Sequence, residues 1–304
     1  MTESTREILD RFQVRKTGAQ KSAFIEYVRE LVGKWGYSLR VERGSFGAKN
    51  IVVGDVSRAK IVYGAHYDTA PVLPFPNFIT PKNFAVYLLY NFVIILGIVA
   101  ISALVGGVCG VFSLSGGIAT LAVRITYVLL LLLLLVGPAN KHTANDNTSG
   151  VTLLIDIMRE LPQDKRDEVA FVFFDLEEAG LIGSSAFEKA HRAQMRDKLL
   201  VNFDCVSDGD HILLITRKGS RRWNETLAKA FPSSDGFAVE VVDKGVFYPS
   251  DQARFNCGVG VAALNSTKGG LLYMNRIHTH RDVIYNEKNI EFLKNGALKL
   301  TELL

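Results

Sequence analysis

The sequence is short of cysteine. It has three, Cys109, Cys205 and Cys257, scattered along 304 residues with no C-x-x-C pair. An odd, dispersed set argues against a disulfide framework and fits a reducing compartment. A strong charge of either sign is also missing: 35 basic against 31 acidic side chains leave a net +4. The basic residues form no long run and no basic–aromatic stripe, so nucleic acid is not an expected partner. The first thirty residues are charged and polar, without an apolar stretch behind a basic start, so no cleavable secretory signal is expected. No Gly-x-Ser-x-Gly elbow, Walker loop or His-Glu-x-x-His pair occurs, and thermolysin-like chemistry is thereby set aside. There is no internal repeat and no low-complexity tail.

What is present begins with an apolar block. From Phe84 to Val136 nearly every residue is apolar, small or a hydroxyl, and Arg124 is the only charge. Phe84–Val105 is 22 residues long and Ile118–Val136 is 19. At about 1.5 Å per residue, each comes close to or exceeds the roughly 30 Å of a bilayer's hydrocarbon core. The Gly/Ser-containing stretch Gly106–Gly117 joins them, and Gly137-Pro138 closes the second run as a helix stop should. Two spans and a short turn predict a transmembrane helical hairpin over 84–136, with the lipid bilayer as its partner. Buried core helices, or a hydrophobic lid packed on a partner, are the alternatives. Soluble core helices rarely lack a polar face over two successive runs of this length, however, and these two runs lack one. Arg124 lies six positions inside the second run, about 9 Å by helical rise, within snorkelling reach of an interface.

Outside that block the chain alternates strand-like and helix-like segments. Ser22–Trp35 carries Phe24, Ile25, Val28, Leu31 and Val32 at helical spacing, with Gly36 just past its end. Ser149–Leu161 reads as a helix capped by Thr148 or Ser149, and further helices are expected over Leu181–Ala190, Asn224–Phe231 and Glu287–Leu304. Strands are expected at Asn50–Val53, Ile61–Tyr63, Val169–Phe174, Leu199–Phe203, His211–Thr216 and Val259–Leu264. Short, continuously apolar strands between helices imply an α/β fold: a three-layer α/β/α arrangement around a mixed, mostly parallel sheet. Residues 1–83 and 137–304 then form one discontinuous catalytic domain, and the hairpin returns the chain to the side it left.

The polar residues of interest follow apolar strands, where open α/β sheets place their ligand sites. His66-Tyr67-Asp68 follows Ile61-Val62-Tyr63. Two apart on an extended segment, His66 and Asp68 point the same way, so the carboxylate can orient the imidazole. Asn145-Asp146-Asn147-Thr148-Ser149-Gly150 precedes a helix, and capping explains one or two of these residues but not five in a row. Asp175-Leu176-Glu177-Glu178-Ala179-Gly180 ends the strand Val169–Phe174, where three clustered carboxylates are costly without cations. Paired glutamates suit a hydrolytic metal site, one as ligand and one as proton acceptor. Asp204 ends Leu199–Phe203, and Ile277-His278-Thr279-His280-Arg281-Asp282 lies near the C-terminus. Alone, each of these is ordinary; together they supply a nitrogen and oxygen donor set suited to zinc.

The order His-x-Asp, Asn-Asp-Asn-x-Ser-Gly, Glu-Glu-x-Gly-Leu, Asn-x-Asp and His-Thr-x-x-Asp resembles the co-catalytic zinc aminopeptidases, the twenty-eighth family of metallopeptidases. The motifs run from about residue 60 to 282, the insertion apart. The resemblance implies two Zn2+ ions, one held by His66, Asp146 and Asp204, the other by Asp146, Glu178 and His278. Asp146 is then the bridge, Glu177 the general base and Asp68 the partner of His66. His278 takes precedence over His280 because it occupies the His of His-Thr-x-x-Asp. The family's Ser-Asp-His-x-x-Phe is represented by Ser250-Asp251-Gln252-Ala253-Arg254-Phe255, from which Gln252 departs. The implied activity is hydrolysis of peptides, with aminopeptidase action favoured. A single-zinc acyltransferase like glutaminyl cyclase and a non-catalytic membrane scaffold are the rivals. Oligomeric state is left open.

Asp146 follows Asp68 by 78 positions, and the apolar hairpin fills most of that gap. Lys82 and Lys141 flank the spans on the catalytic side, while the turn Gly106–Gly117 is uncharged and Arg124 is a single opposing vote. The positive-inside rule then places a two-span protein in the cell membrane with its catalytic domain in the cytoplasm.

Overall fold

Strands that are apolar on both faces must be covered on both faces, and this requirement organises the chain. The computed structural model describes residues 1–234 and 236–304. Helices α1 (Glu3–Arg11) and α2 (Gly18–Gly33) come first, followed by strands β1 (Leu39–Arg43), β2 (Lys49–Val53) and β3 (Ile61–His66). The hairpin helices α3 (Phe84–Val111) and α4 (Gly116–Val136) intervene before α5 (Gly150–Glu160) and β4 (Val169–Phe174). Then come α6 (Ile182–Ala190), α7 (Arg192–Met195), β5 (Leu199–Phe203), β6 (His211–Thr216) and α8 (Asn224–Ala230). Strands β7 (Ala238–Val242), β8 (Gly258–Ser266) and β9 (Leu272–Tyr273) precede the last helix, α9 (Glu287–Leu303).

Among the described residues the strands join one sheet in the order β1-β2-β4-β3-β5-β8-β6-β7, with β9 paired to β8. Its centre, β4-β3-β5-β8, is parallel; β2 pairs antiparallel to β4, and β6 antiparallel to β8. Alternate residues feed opposite layers, as the period-two geometry of a strand requires. Tyr63, Phe171, Phe173 and Val201 pack with α1, α2, α5, α8 and α9. Val62, Val172, Phe174 and Leu200 pack with Phe187, Met195 and Phe255 on the other face. This is the expected three-layer α/β arrangement with an inserted apolar hairpin.

Register carries the fold toward the site. Ile61 stands beside both Val169 and Leu199, and His66 beside Phe174. The carboxyl ends of β3, β4 and β5 therefore finish side by side. The turn into α5 differs from the expected capping: Ser149 already has helical backbone angles, and Asn147 Oδ1 accepts the Gly150 N–H at 3.1 Å. Gly150 has no room for a side chain there, because a Cβ would lie 2.4 Å from the Phe203 carbonyl oxygen.

The hairpin leaves and re-enters the domain through one narrow stem. Val72 N–H donates to the Pro138 carbonyl at 2.8 Å, and Asn140 N–H to that of Ala70 at 2.9 Å. Helix α3 runs six residues past Val105, where the composition suggested a turn. Gly106 there sits against α4, so close that a Cβ would meet Val123 Cγ2 at 2.7 Å. The glycine serves helix–helix approach rather than chain reversal. Among the described residues, burial in α3 is confined to Ile98 and Ser102, and α4 has no buried residue.

Candidate metal centre

Strand ends bring four of the six candidate residues to one cavity wall, the turn before α5 brings the fifth, and one long return brings the sixth. His66 ends β3, Glu177 and Glu178 follow β4, Asp204 follows β5, and Asp146 lies in the turn before α5. His278 comes back from the segment after β9 in a left-handed conformation, φ 58°. All six line a cavity of about 190 Å³.

Asp146 sits at the centre. Its Oδ1 is 3.1 Å from His66 Nε2 and its Oδ2 is 2.9 Å from His278 Nε2. His66 Nε2 is also 3.6 Å from Asp204 Oδ1, and His278 Nε2 is 3.3 Å from Glu178 Oε2. Two three-residue groups result, His66–Asp146–Asp204 and Asp146–Glu178–His278, each with donor atoms within 4.8 Å of one another. A third, His66–Glu177–Glu178, meets the same test. A tetrahedral zinc with ligands at about 2.0–2.1 Å needs donors about 3.3 Å apart. The spacings of 2.9–3.6 Å match that edge. Glu178 Oε1 and His66 Nδ1 are buried without a hydrogen-bond partner among the described residues. The donor chemistry, the spacing and an orphaned ligand-type oxygen all fit bound metal.

The loops are held from behind. Asp282 accepts the backbone N–H groups of Asn145 and Asp146, at 2.8 and 3.0 Å. Asp68 accepts those of Glu177 and Glu178, at 3.0 and 3.3 Å. Its Oδ1 is 3.6 Å from His66 Nδ1, too long for a hydrogen bond. Asp68 therefore anchors the Glu-Glu turn in addition to facing the imidazole. Asp175 pairs with Lys21 and accepts the Lys49 N–H at 2.9 Å, so it belongs to the scaffold. His278 reaches the cluster, whereas His280 is exposed.

Electrostatics record how crowded these charges are. Burial pushes the Glu177 carboxyl well above the carboxylate range, and Glu178, Asp251 and Asp204 push it further against the pull of His66. Burial also raises Glu178, opposed by His278. For His66 burial favours the neutral ring, but Asp146, Asp204 and Asp68 outweigh it and the pKa rises well above normal. His278 behaves likewise, through Glu178 and Asp146. Asp146 is held low: burial opposes this, and the two imidazoles overcome it. Such a cluster favours bound cations, either protons or metal ions.

Sequence reading gave no role to Asp251. It is fully buried and close enough to Glu177 to raise it, with both carboxylate oxygens unpartnered among the described residues, and burial pushes it up to about 7. Gln252, at the motif's departure, accepts from Asn202 Nδ2 at 3.2 Å and donates to the Tyr248 carbonyl at 2.9 Å. It braces the loop that carries Asp251. Tyr87, Phe247 and Tyr248 line the cavity and were also missed, since nothing in their local sequence marks a site.

The model of peptidase family M28 matches residues 129–301. The chain belongs to peptidase family M28. The matched region contains Asp146, Glu177, Glu178, Asp204 and His278, while His66 and Asp68 precede it, beyond the hairpin. Among solved structures, this M28 chain is similar to a glutaminyl cyclase of Porphyromonas gingivalis, with TM-score 0.60, 13% identity, and 98% of this chain and 95% of that one covered. The Legionella pneumophila LapA aminopeptidase gives TM-score 0.56 and 14% identity, over 99% of this chain and 67% of that one. A leucine aminopeptidase precursor from Bacteroides thetaiotaomicron gives TM-score 0.56 and 14% identity, over 97% and 93%. At these identities the likeness is one of fold. Comparison with curated proteins gives no sequence match.

Proposed function

We propose that this M28 chain is a two-zinc aminopeptidase anchored in a membrane by its hairpin. The observation that carries the reading is Asp146, whose two oxygens face two different imidazoles, each with a further carboxylate beside it. His66, Asp146 and Asp204 would hold one ion, and Asp146, Glu178 and His278 the other. Zinc bound in this way supplies Lewis acidity that acidifies a water and polarises a carbonyl. Glu177 takes the proton of the attacking water and passes it to the leaving amine. Its carboxyl, pushed above the carboxylate range by burial, suits a group that must both accept and return a proton. Asp68 and Asp282 hold the loops of the base and the bridging carboxylate in place.

The glutaminyl-cyclase alternative works with one zinc, whereas this chain offers a complete second donor group in Asp146, Glu178 and His278. Metal content together with a panel of aminoacyl-arylamides tests the assignment. We expect arylamide hydrolysis by the zinc-loaded protein and its loss, by at least about a hundredfold, in Glu177→Ala. Full activity of that variant would remove Glu177 from the role of base.

The membrane half of the proposal rests on exposure. Helices α3 and α4 are 28 and 21 residues long, are almost wholly apolar and hold almost no buried residue. They measure about 42 and 32 Å, against a hydrocarbon core of about 30 Å. Soluble proteins rarely expose apolar patches beyond a few hundred Å². Residues 84–136 are read as a two-span insertion, with 1–83 and 137–304 as the catalytic domain. Lys82 and Lys141 beside the stem favour the cytoplasmic side for that domain.

A further inference from the structure

The cavity over the metal cluster is not built by the catalytic domain alone. Its apolar lining comes from Ile79, Tyr87, Phe247, Tyr248, Pro249 and Ile277. Of these, Tyr87 belongs to α3, one turn into the hairpin. Its ring centroid lies 5.5 Å from that of Phe247, and Phe84 meets the same ring edge-on at 5.0 Å. The Phe247 N–H donates to the Pro81 carbonyl at 2.8 Å. One residue on, Lys82 forms an ion pair at 2.7 Å with Glu240 of β7. Aromatic packing, a backbone hydrogen bond and an ion pair thus clamp the start of the hairpin against the Phe247 loop.

We propose that Tyr87 is a specificity-determining residue: the first turn of the hairpin forms the wall of the subsite for the substrate's N-terminal side chain, and that side chain is large and apolar. The proposal rests on the aminopeptidase reading above and deepens it. The lining supports it, since Ile79, Tyr87, Phe247, Tyr248, Pro249 and Ile277 give the cavity an apolar face in addition to its acidic one. The same cavity is lined by the carboxylates of Glu177, Glu178, Asp146 and Asp204 and by Asn77. One cavity thus presents carboxylates together with an aromatic and aliphatic lining, so it is suited to hold an amine and reaction centre beside a hydrocarbon side chain. Tyr87 is thereby made part of substrate binding by the same insertion that anchors the protein.

The test uses the full chain in detergent, zinc-loaded, as wild type, Tyr87→Ala, Tyr87→Phe and Tyr87→Trp. In Tyr87→Ala we expect KM for leucyl- and phenylalanyl-arylamides to rise about tenfold, with alanyl-arylamide and kcat changed less than about threefold. Tyr87→Phe should match wild type, and Tyr87→Trp, which narrows the cavity, should disfavour the phenylalanyl substrate over the alanyl one. Calorimetric binding of L-phenylalaninol and L-alaninol reads the same pocket without turnover: wild type should favour the former, and Tyr87→Ala should lose about tenfold of that preference. Unchanged discrimination in both Tyr87→Ala and Tyr87→Trp overturns the proposal, as does a wild type indifferent to the two amino alcohols. If wild type cleaves no arylamide while Tyr87→Ala still shifts amino-alcohol preference, the peptidase reading fails and the pocket assignment stands.

Discussion

Asp68 accepts the backbone N–H of Glu177 at 3.0 Å, so the residue that faces the His66 imidazole also fixes the turn bearing the proposed base. The proposed metal site and the proposed proton-transfer site share one support. Asp68→Ala removes the acceptor for two amides and should lower kcat about 10- to 100-fold. Asp68→Asn, which keeps one carbonyl oxygen, should recover part of that loss. Steady-state kinetics with zinc content measured alongside checks this. Full kcat in Asp68→Ala would show that the turn holds without it.

The buried cluster makes the stability of the metal-free protein depend on pH in a definite direction. His66, His278, Glu177 and Glu178 all have folded pKa values raised above their ordinary ones. Each binds its proton more tightly in the folded state, so stability is present at low pH and is lost as pH rises through the raised values. For the histidines that window opens above about 6.5. Asp146, held low, acts in the opposite sense but only in acid. Zinc takes the place of the protons, so the difference in Tm between zinc-loaded and EDTA-treated protein should be larger at pH 8.5 than at pH 6.5. Thermal unfolding at the two pH values measures it, and an equal or smaller difference at pH 8.5 would contradict the account.

The hairpin reading makes a partition prediction. The intact protein should remain in carbonate-washed membranes and come out only with detergent, because two exposed apolar helices of 28 and 21 residues cannot be solvated by water. Recovery in the soluble fraction without detergent would exclude a spanning hairpin. Truncation at the stem is a poor substitute for this experiment, because Leu73 at the stem donates its N–H to the His278 carbonyl at 2.7 Å. Cutting there would disturb the metal centre directly.

Much of the architecture is legible because the central strands are uniformly apolar. Val169–Phe174, Leu199–Phe203 and His211–Thr216 have the bounds their composition suggests. What is not legible lies at the periphery. Helix α1 buries only Ser4, Thr5 and Ile8, too little for a helical period to stand out. Strands β1 and β7, which the sequence reading does not assign, are edge strands whose charged residues (Arg40, Glu42, Glu240) mask their pairing. At the site, the candidate ligands can be picked out because most follow a buried strand, where a polar residue is conspicuous. Their supports cannot be, since the contacts of Asp282 with Asp146 and of Phe247 with Tyr87 join segments more than a hundred residues apart.

The central claim is that Asp146 joins two metal sites in one cavity. Its most direct test is the number of zinc ions bound tightly per chain, by elemental analysis of the folded protein after dialysis. The account predicts two in wild type, with both lost or weakened in Asp146→Ala. A wild-type value of one, or an Asp146→Ala protein that keeps its full zinc, would contradict it.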